Sequence, residues 1–371
     1  MTDRTFRFGE LFCGPGGMAK GAHDAAASTG VDLVHKWAND YDRDTCATYL
    51  LNMERYGATT ETVIHGNVRE LEIEALEGID GFAFGFPCND FSSVGEWRGL
   101  DGEYGPLYSF GVRVLEAHEP EWFVAENVSG LQSANEGRAF TQILGELAAA
   151  GEHGYDLYPH LYSFDEYGVP QRRRRIMIVG IRGDQQYEFR VPAPSIYEGI
   201  PVSARHALME PPMHRGMLNH EYTRQSDRVV ERLNYIRPGE NAFNAVDLPE
   251  RLKLNVRGAT ISQIYKRLHP DQPAYTVTGS GGGGTHMYHW NESRALTSRE
   301  KARLQTFPDD YEFIGSRDSV RKQVGMAVPV RGAEAVFTAL FKSIRGEAYP
   351  SVAPSLGHVA ARPRRDDRGD Q

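Results

Sequence analysis

Cys88 follows Pro87 at the end of the apolar run GIDGFAFGF and is followed by the polar segment NDFS. The run reads as a strand and the segment as a loop. A free cysteine is most often a buried, inert side chain. A thiol held at a strand end behind a proline is instead placed to react. Three other groups support that reading. Glu126 closes a second apolar run, EWFVAENV. Arg173 and Arg175 lie two apart in QRRRR (171–175), so on a strand they share one face while Arg172 and Arg174 take the other. FCGPGG (12–17) is a glycine-rich turn between a strand and a helix, where backbone comes close to a ligand and the helix N-terminus favours negative charge. Asp40 ends the next strand, where an acid can accept from ribose hydroxyls. A nucleophile, an acid, paired cations and a ligand-cradling turn are the residue types that covalent catalysis uses.

The elements that must position them alternate. TFRFGELF, VDLVHKWAN, TVIHGN, GFAFGF, EWFVAENV and RRIMIVGIR read as strands. GMAKGAHDAAAS, DRDTCATYLLNM, a segment near 105–118 and another near 138–150 read as helices. Such alternation predicts an α/β, doubly wound, mostly parallel sheet. Ligands then bind beyond the carboxyl ends of the strands, where the turn, Cys88 and Glu126 all fall. After about residue 183 the pattern breaks. Residues 183–292, rich in Pro, Arg, His, Asn and Tyr, read as a second, smaller domain. Helical signals return in ALTSREKARLQTF, with Thr297 or Ser298 as cap and Glu300 in the first turn, and in VRGAEAVFTALFKSIRG (330–346). The Arg- and Asp-rich stretch 347–371 reads as a disordered tail.

A length of 371 residues suggests about two domains. At 40% hydrophobic and 25% charged, the composition is that of an ordinary globular protein. Cys13, Cys46 and Cys88 form neither a disulfide framework nor a metal spacing, which fits a reducing cytoplasm and gives no metal site. The net charge of -9 counts mildly against nucleic acid, but a local basic cleft is all that binding needs.

Six ordered blocks resemble the DNA (cytosine-5) methyltransferases of bacterial and archaeal type. They are FGELFCGPGGMAKG (8–21), GFPCNDFS (85–92), AENVSGL (125–131), YGVPQRRRRIMIVGIR (167–182), RALTSREKARLQTFPDDYEF (294–313) and QVGMAVPV (323–330). The resemblance implies the fold of S-adenosylmethionine-dependent methyltransferases. Residues 1–182 and 293–346 would form a discontinuous catalytic domain, with 183–292 for target recognition. Phe12, Gly14, Gly16, Gly17, Asp40, Tyr41, Asn67, Pro87 and Leu107 would surround S-adenosylmethionine. Cys88 would add to carbon 6 of a flipped-out cytosine. Glu126 would hold a proton at ring nitrogen 3, which asks for a carboxyl that keeps its proton near neutral pH. Arg173 and Arg175 would contact the base oxygen and the Cys88 loop.

The implied partner is double-stranded DNA, bound by a monomer with no membrane; the enzyme would either belong to a restriction-modification system, with a cognate restriction endonuclease acting separately, or be an orphan. Asn67, Asn89 and Met326 depart from the residues common in the family. A tRNA cytosine is the rival substrate, but the Cys-Phe-Thr signature of that branch is absent. A degenerate DNA-binding relative is the other rival, and an intact Cys88, Glu126 and Arg175 argue against it.

Overall fold

A computed structural model describes residues 4–87, 107–254, 263–279 and 287–362. Cys88, Asn89 and the loop to 106 lie outside these residues, as do Arg257 and the run 280–286. The chain divides into two compact units. The first is Met1–Ser163, Arg174–Ile196 and Gly332–Gln371; the second is Phe164–Arg173 and Tyr197–Arg331.

The first unit begins β1 (Thr5–Leu11), α1 (Gly17–Thr29), β2 (Asp32–Asp40), α2 (Arg43–Met53), β3 (Val63–His65) and β4 (Gly81–Gly85). It continues α3 (Tyr108–His118), β5 (Trp122–Val128), α4 (Arg138–Ala148) and β6 (Tyr155–Ser163). After β7 (Gln171–Arg172), which belongs to the second unit, comes β8 (Arg174–Arg182). The sheet order is β3-β2-β1-β4-β5-β8-β6. The first five strands are parallel, and β8 and β6 add antiparallel. Strands covered on both faces need continuous apolar runs, and Phe82, Phe84, Phe123 and Val124 are fully buried. The chain runs outward from β1 to β3, then returns to place β4 on the other side of β1. That reversal opens the crevice in which doubly wound sheets bind ligands.

Two features of this unit differ from the sequence reading. The edge strand β6 was not anticipated: YDLYPHLYS carries a proline and a histidine and too few β-branched residues to announce itself. The tail is ordered through residue 362. Short β11 (Ser351–Val352) pairs with β9 (Val191–Pro192), and Leu157 and Val359 exchange backbone hydrogen bonds of 2.8 and 3.0 Å. The helix at 330–344 packs back on this unit, with Phe337 edge-on to Phe8 and Phe341 against Trp122.

The second unit contains α5 (Ala204–Met209), α6 (Asp227–Asn234), the two-residue strand β10 (Ala274–Tyr275) paired with β7, α7 (Ser298–Leu304) and α8 (Arg317–Met326); α9 (Val330–Ile344) starts at its end. So little ladder leaves many carbonyls to be satisfied otherwise. Buried arginines do this. Arg232 donates to Leu252 O, Arg267 to Leu233 O and His289 O, Arg299 to Leu218 O and Pro308 O, and Arg303 to Pro211 O. The unit does not end at 183 and 292. Residues 183–196 stay with the first unit through β9, and 293–331 join the second because α7 supplies two of those arginines. The reading of α7 itself holds: Thr297 and Glu300 form a reciprocal capping box.

Candidate active site

The glycine turn is built from left-handed backbone. Gly14 has φ 55° and Gly16 φ 90°, and Phe12, at φ 53°, adopts a conformation rare for a bulky residue. A Cβ on Gly14 would meet nothing within 4 Å, so the backbone conformation asks for glycine and the space beside it is open. Gly16 is the N-cap of α1, and Gly17 is its first residue, buried. No acidic side chain lies in the first turn, and no side chain caps the amide end.

Asp40 ends β2 and faces this turn. Its Oδ2 accepts from Gly14 N–H at 3.0 Å and its Oδ1 from Asp42 N–H at 3.0 Å. Each carboxylate oxygen can take a second bond. Tyr41 beside it is 64% exposed. Asn67 caps a short helical turn after β3, its Oδ1 accepting from Arg69 N–H at 3.1 Å. Leu107 is buried in the core where α3 begins. An open turn at a helix N-terminus, an acid at the strand end and an exposed aromatic fit an adenosine-bearing methyl donor.

Across the crevice, Glu126 sits near the end of β5 with Oε1 2.8 Å from Arg175 Nε of β8. Its Oε2 lies 3.4 Å from where a Cβ of Gly85 would stand, and Met18 Cε lies 3.7 Å from the same point. Gly85 ends β4, three residues before Cys88. The glycine turn, the cysteine-bearing strand end and the acid therefore converge at the switch point. Asn127 Nδ2 donates to Phe86 O at 3.0 Å, fixing the backbone just ahead of Pro87. Burial pushes the thiol of Cys13 well up and that of Cys46 to about 12. The two described cysteines are thus held as protonated thiols.

Arg173 does not share a face with Arg175. The strand breaks between β7 and β8, and Arg173 turns into the second unit. It is 1% exposed and donates to Val277 O at 2.9 Å and Gly325 O at 3.2 Å. The expectation that it reaches the base is corrected to a framework role. Met326 ends α8 in that same unit, 62% exposed. Asn39 and Asn127 were not singled out from the sequence. Their signal was there: each is an amide next to an acid at an apolar strand end.

The family model for C-5 cytosine-specific DNA methylases matches residues 6–342. The chain belongs to that family. The methylase is 56% identical, over 94% of both chains, to the Type II methyltransferase M.BbvI of Brevibacillus brevis. It is 38% identical to M.NgoFVII of Neisseria gonorrhoeae, over 87% of this chain and 83% of that one. The crystal structure of a protein encoded within an E. coli prophage, 20% identical, superposes with a TM-score of 0.71 over 92% of this chain and 100% of the other, which shows the shared fold. The methylase is a DNA (cytosine-5-)-methyltransferase: it transfers a methyl group to carbon 5 of cytosine in DNA.

Proposed function

We propose that the methylase works on double-stranded DNA through a covalent adduct at Cys88, with Glu126 and Arg175 as its partners in the site. The convergence of Gly85, Met18 and Glu126 on one point carries this reading, since it brings the cofactor turn, the nucleophile's strand and an acid together. Phe12, Gly14, Gly16, Gly17, Asp40, Tyr41 and Asn67 hold S-adenosylmethionine in this reading, with Pro87 at its reactive end and Leu107 as the packing behind it. When bound, it supplies an electrophilic methyl group on a sulfonium sulfur.

The remaining chemistry belongs to the chain. Carbon 5 of cytosine is a poor nucleophile. The Cys88 thiolate forms a bond to carbon 6, and the electron pair of the 5,6 double bond moves into the ring. Glu126 holds a proton at ring nitrogen 3, which neutralises that charge. Arg175 orients the Glu126 carboxylate. Once carbon 5 carries the methyl group, water acting as base takes its proton, the C–H electron pair re-forms the 5,6 double bond, and Cys88 leaves as thiolate with the pair of the carbon 6–sulfur bond. The base leaves the DNA stack to reach the thiol.

The second unit reads the target sequence in this proposal, and the methylase acts as a monomer alongside a cognate endonuclease. A tRNA substrate is not favoured, because the relatives above 30% identity are named Type II methyltransferases. The test is DNA containing 5-fluorocytosine at the target. It traps a covalent complex with the native chain, because fluorine cannot leave as a proton does, and none with Cys88→Ser. Bisulfite sequencing of DNA from expressing cells locates the target. An active enzyme that forms no adduct would end the thiolate mechanism.

A further inference from the structure

Asn39 sits one residue before Asp40 at the end of β2 and is 1% exposed. Its side-chain amide donates to Ile64 O at 2.9 Å and to Gly66 O at 3.1 Å. Both partners are carbonyl oxygens, so only the NH2 half of the amide can face them. Its own carbonyl accepts from Cys13 N–H at 3.1 Å. Around it, Gly14 N–H binds Asp40 Oδ2, and Gly66 N–H binds Asp40 O at 3.0 Å. One residue thus ties together the turn after β1, the end of β2 and the loop after β3.

The third of these most needs tying. β3 is three residues long and pairs with β2 only from Ala38–Val63 to Asp40–His65. Asn67 lies beyond the last rung. An edge strand this short holds its following loop weakly, and among the described residues the backbone bond from Gly66 to Asp40 is the one ladder-like link past it. The Asn39 amide extends the order of β2 to that loop through two further bonds. It reaches no substrate itself.

We infer that Asn39 is a positioning residue for cofactor binding, holding Asp40 and the Asn67 loop at a fixed separation so that both ends of an adenosine meet preformed acceptors. The inference rests on the cofactor reading above. Without the amide, the loop relaxes in the free protein, and binding must reorder it at a cost in affinity.

Asn39→Asp is nearly isosteric but turns an oxygen toward two carbonyls. Asn39→Ser keeps one shorter donor. Calorimetry with S-adenosylmethionine and with S-adenosylhomocysteine should show affinity weakened about tenfold or more in the Asp variant and less in the Ser variant. DNA affinity should stay as in the native chain, and kcat at saturating cofactor should fall less than about threefold, the pattern of lost ground-state binding. Hydrogen exchange at Gly66 and Asn67 should quicken in the free protein. A folded Asp variant with native cofactor affinity overturns the inference, and so does an equal loss of DNA and cofactor affinity. If the Asp variant does not fold, the Ser variant decides by the same readings. Asp40→Ala runs in parallel. Native cofactor affinity there removes the cofactor reading itself. A loss there, with none in either Asn39 variant, removes only the inference.

Discussion

The side-chain amide of Asn127 donates to the carbonyl of Phe86 across 3.0 Å, joining the end of β5 to the end of β4. The bond lies one residue from Glu126 and two residues before Cys88 in the chain, so the strand ends that precede the proposed nucleophile and carry the proposed acid are linked to each other. Asn127→Asp removes the donor and sets an oxygen against the Phe86 carbonyl. Single-turnover methylation should slow about ten- to a hundredfold, because small misplacements of reacting groups are costly. Cofactor affinity should change little. A variant with native single-turnover rate shows that the strand ends are fixed without this bond.

Glu126 and Arg175 act as a pair, at 2.8 Å. Glu126→Gln should cut the chemical step by about a hundredfold or more while DNA affinity holds, since a proton held in the transition state is lost. Arg175→Lys should be intermediate, and the double variant should be no slower than Glu126→Gln alone if the arginine works through the acid. Rapid-quench kinetics on the four proteins measures this. Independent, multiplying losses in the double variant would mean that Arg175 has a contact of its own.

Arg173 separates two roles cleanly. Arg173 is a buried donor to Val277 and Gly325, and its replacement by Met removes both donated bonds. Arg173→Met should lower stability by about 2 kcal/mol or more. The melting temperature should fall by several degrees. Differential scanning calorimetry reads this without any activity assay. An unchanged melting temperature with a large loss of rate would return Arg173 to the base.

Glu10, on β1 behind the cofactor turn, is fully buried, and Tyr49 donates to its Oε2 at 3.2 Å. Burial raises its pKa well above the ordinary 4.5, so the folded chain keeps a proton that the unfolded chain releases. Its contribution is complete below about pH 4.5 and is lost as pH rises toward the folded pKa. Glu10→Gln keeps the shape and removes the titration. Its stability relative to the native chain should therefore improve between pH 5 and pH 8, as followed by urea denaturation at each pH. A difference independent of pH would show that Glu10 is ionised in the fold.

Most of the first unit could be read from residues, because its strands are buried on both faces and announce themselves as apolar runs. Thr297 and Glu300 were equally plain, since a capping box is a local pattern. Spacing failed at Arg173 and Arg175. Two residues apart share a face only within one strand, and here the strand breaks between them. The second unit was least legible. Arg232, in a segment whose arginines could as well be charges for DNA, donates to Leu252 O. Which carbonyls lack a ladder partner is a property of the folded backbone, so no count of arginines in the sequence reveals which are spent on them. The site was legible as residue types, while the carbonyls that the Asn39 and Asn127 amides bind became known only from the fold.

The covering of β6 has a further consequence. A nine-residue outermost strand is long enough to recruit a foreign strand, which is how sheets come to grow between molecules. Here the positions are taken. Val359 occupies Leu157, Leu356 donates to Pro159, the Ser355 hydroxyl accepts from Leu161, and the Asp156 side chain accepts from Ala361. The opposite border, β3, has only three residues to offer. Among the described residues, the sheet therefore offers a neighbouring molecule only the short β3 border, too little ladder for strands of two copies to join along a shared polymer.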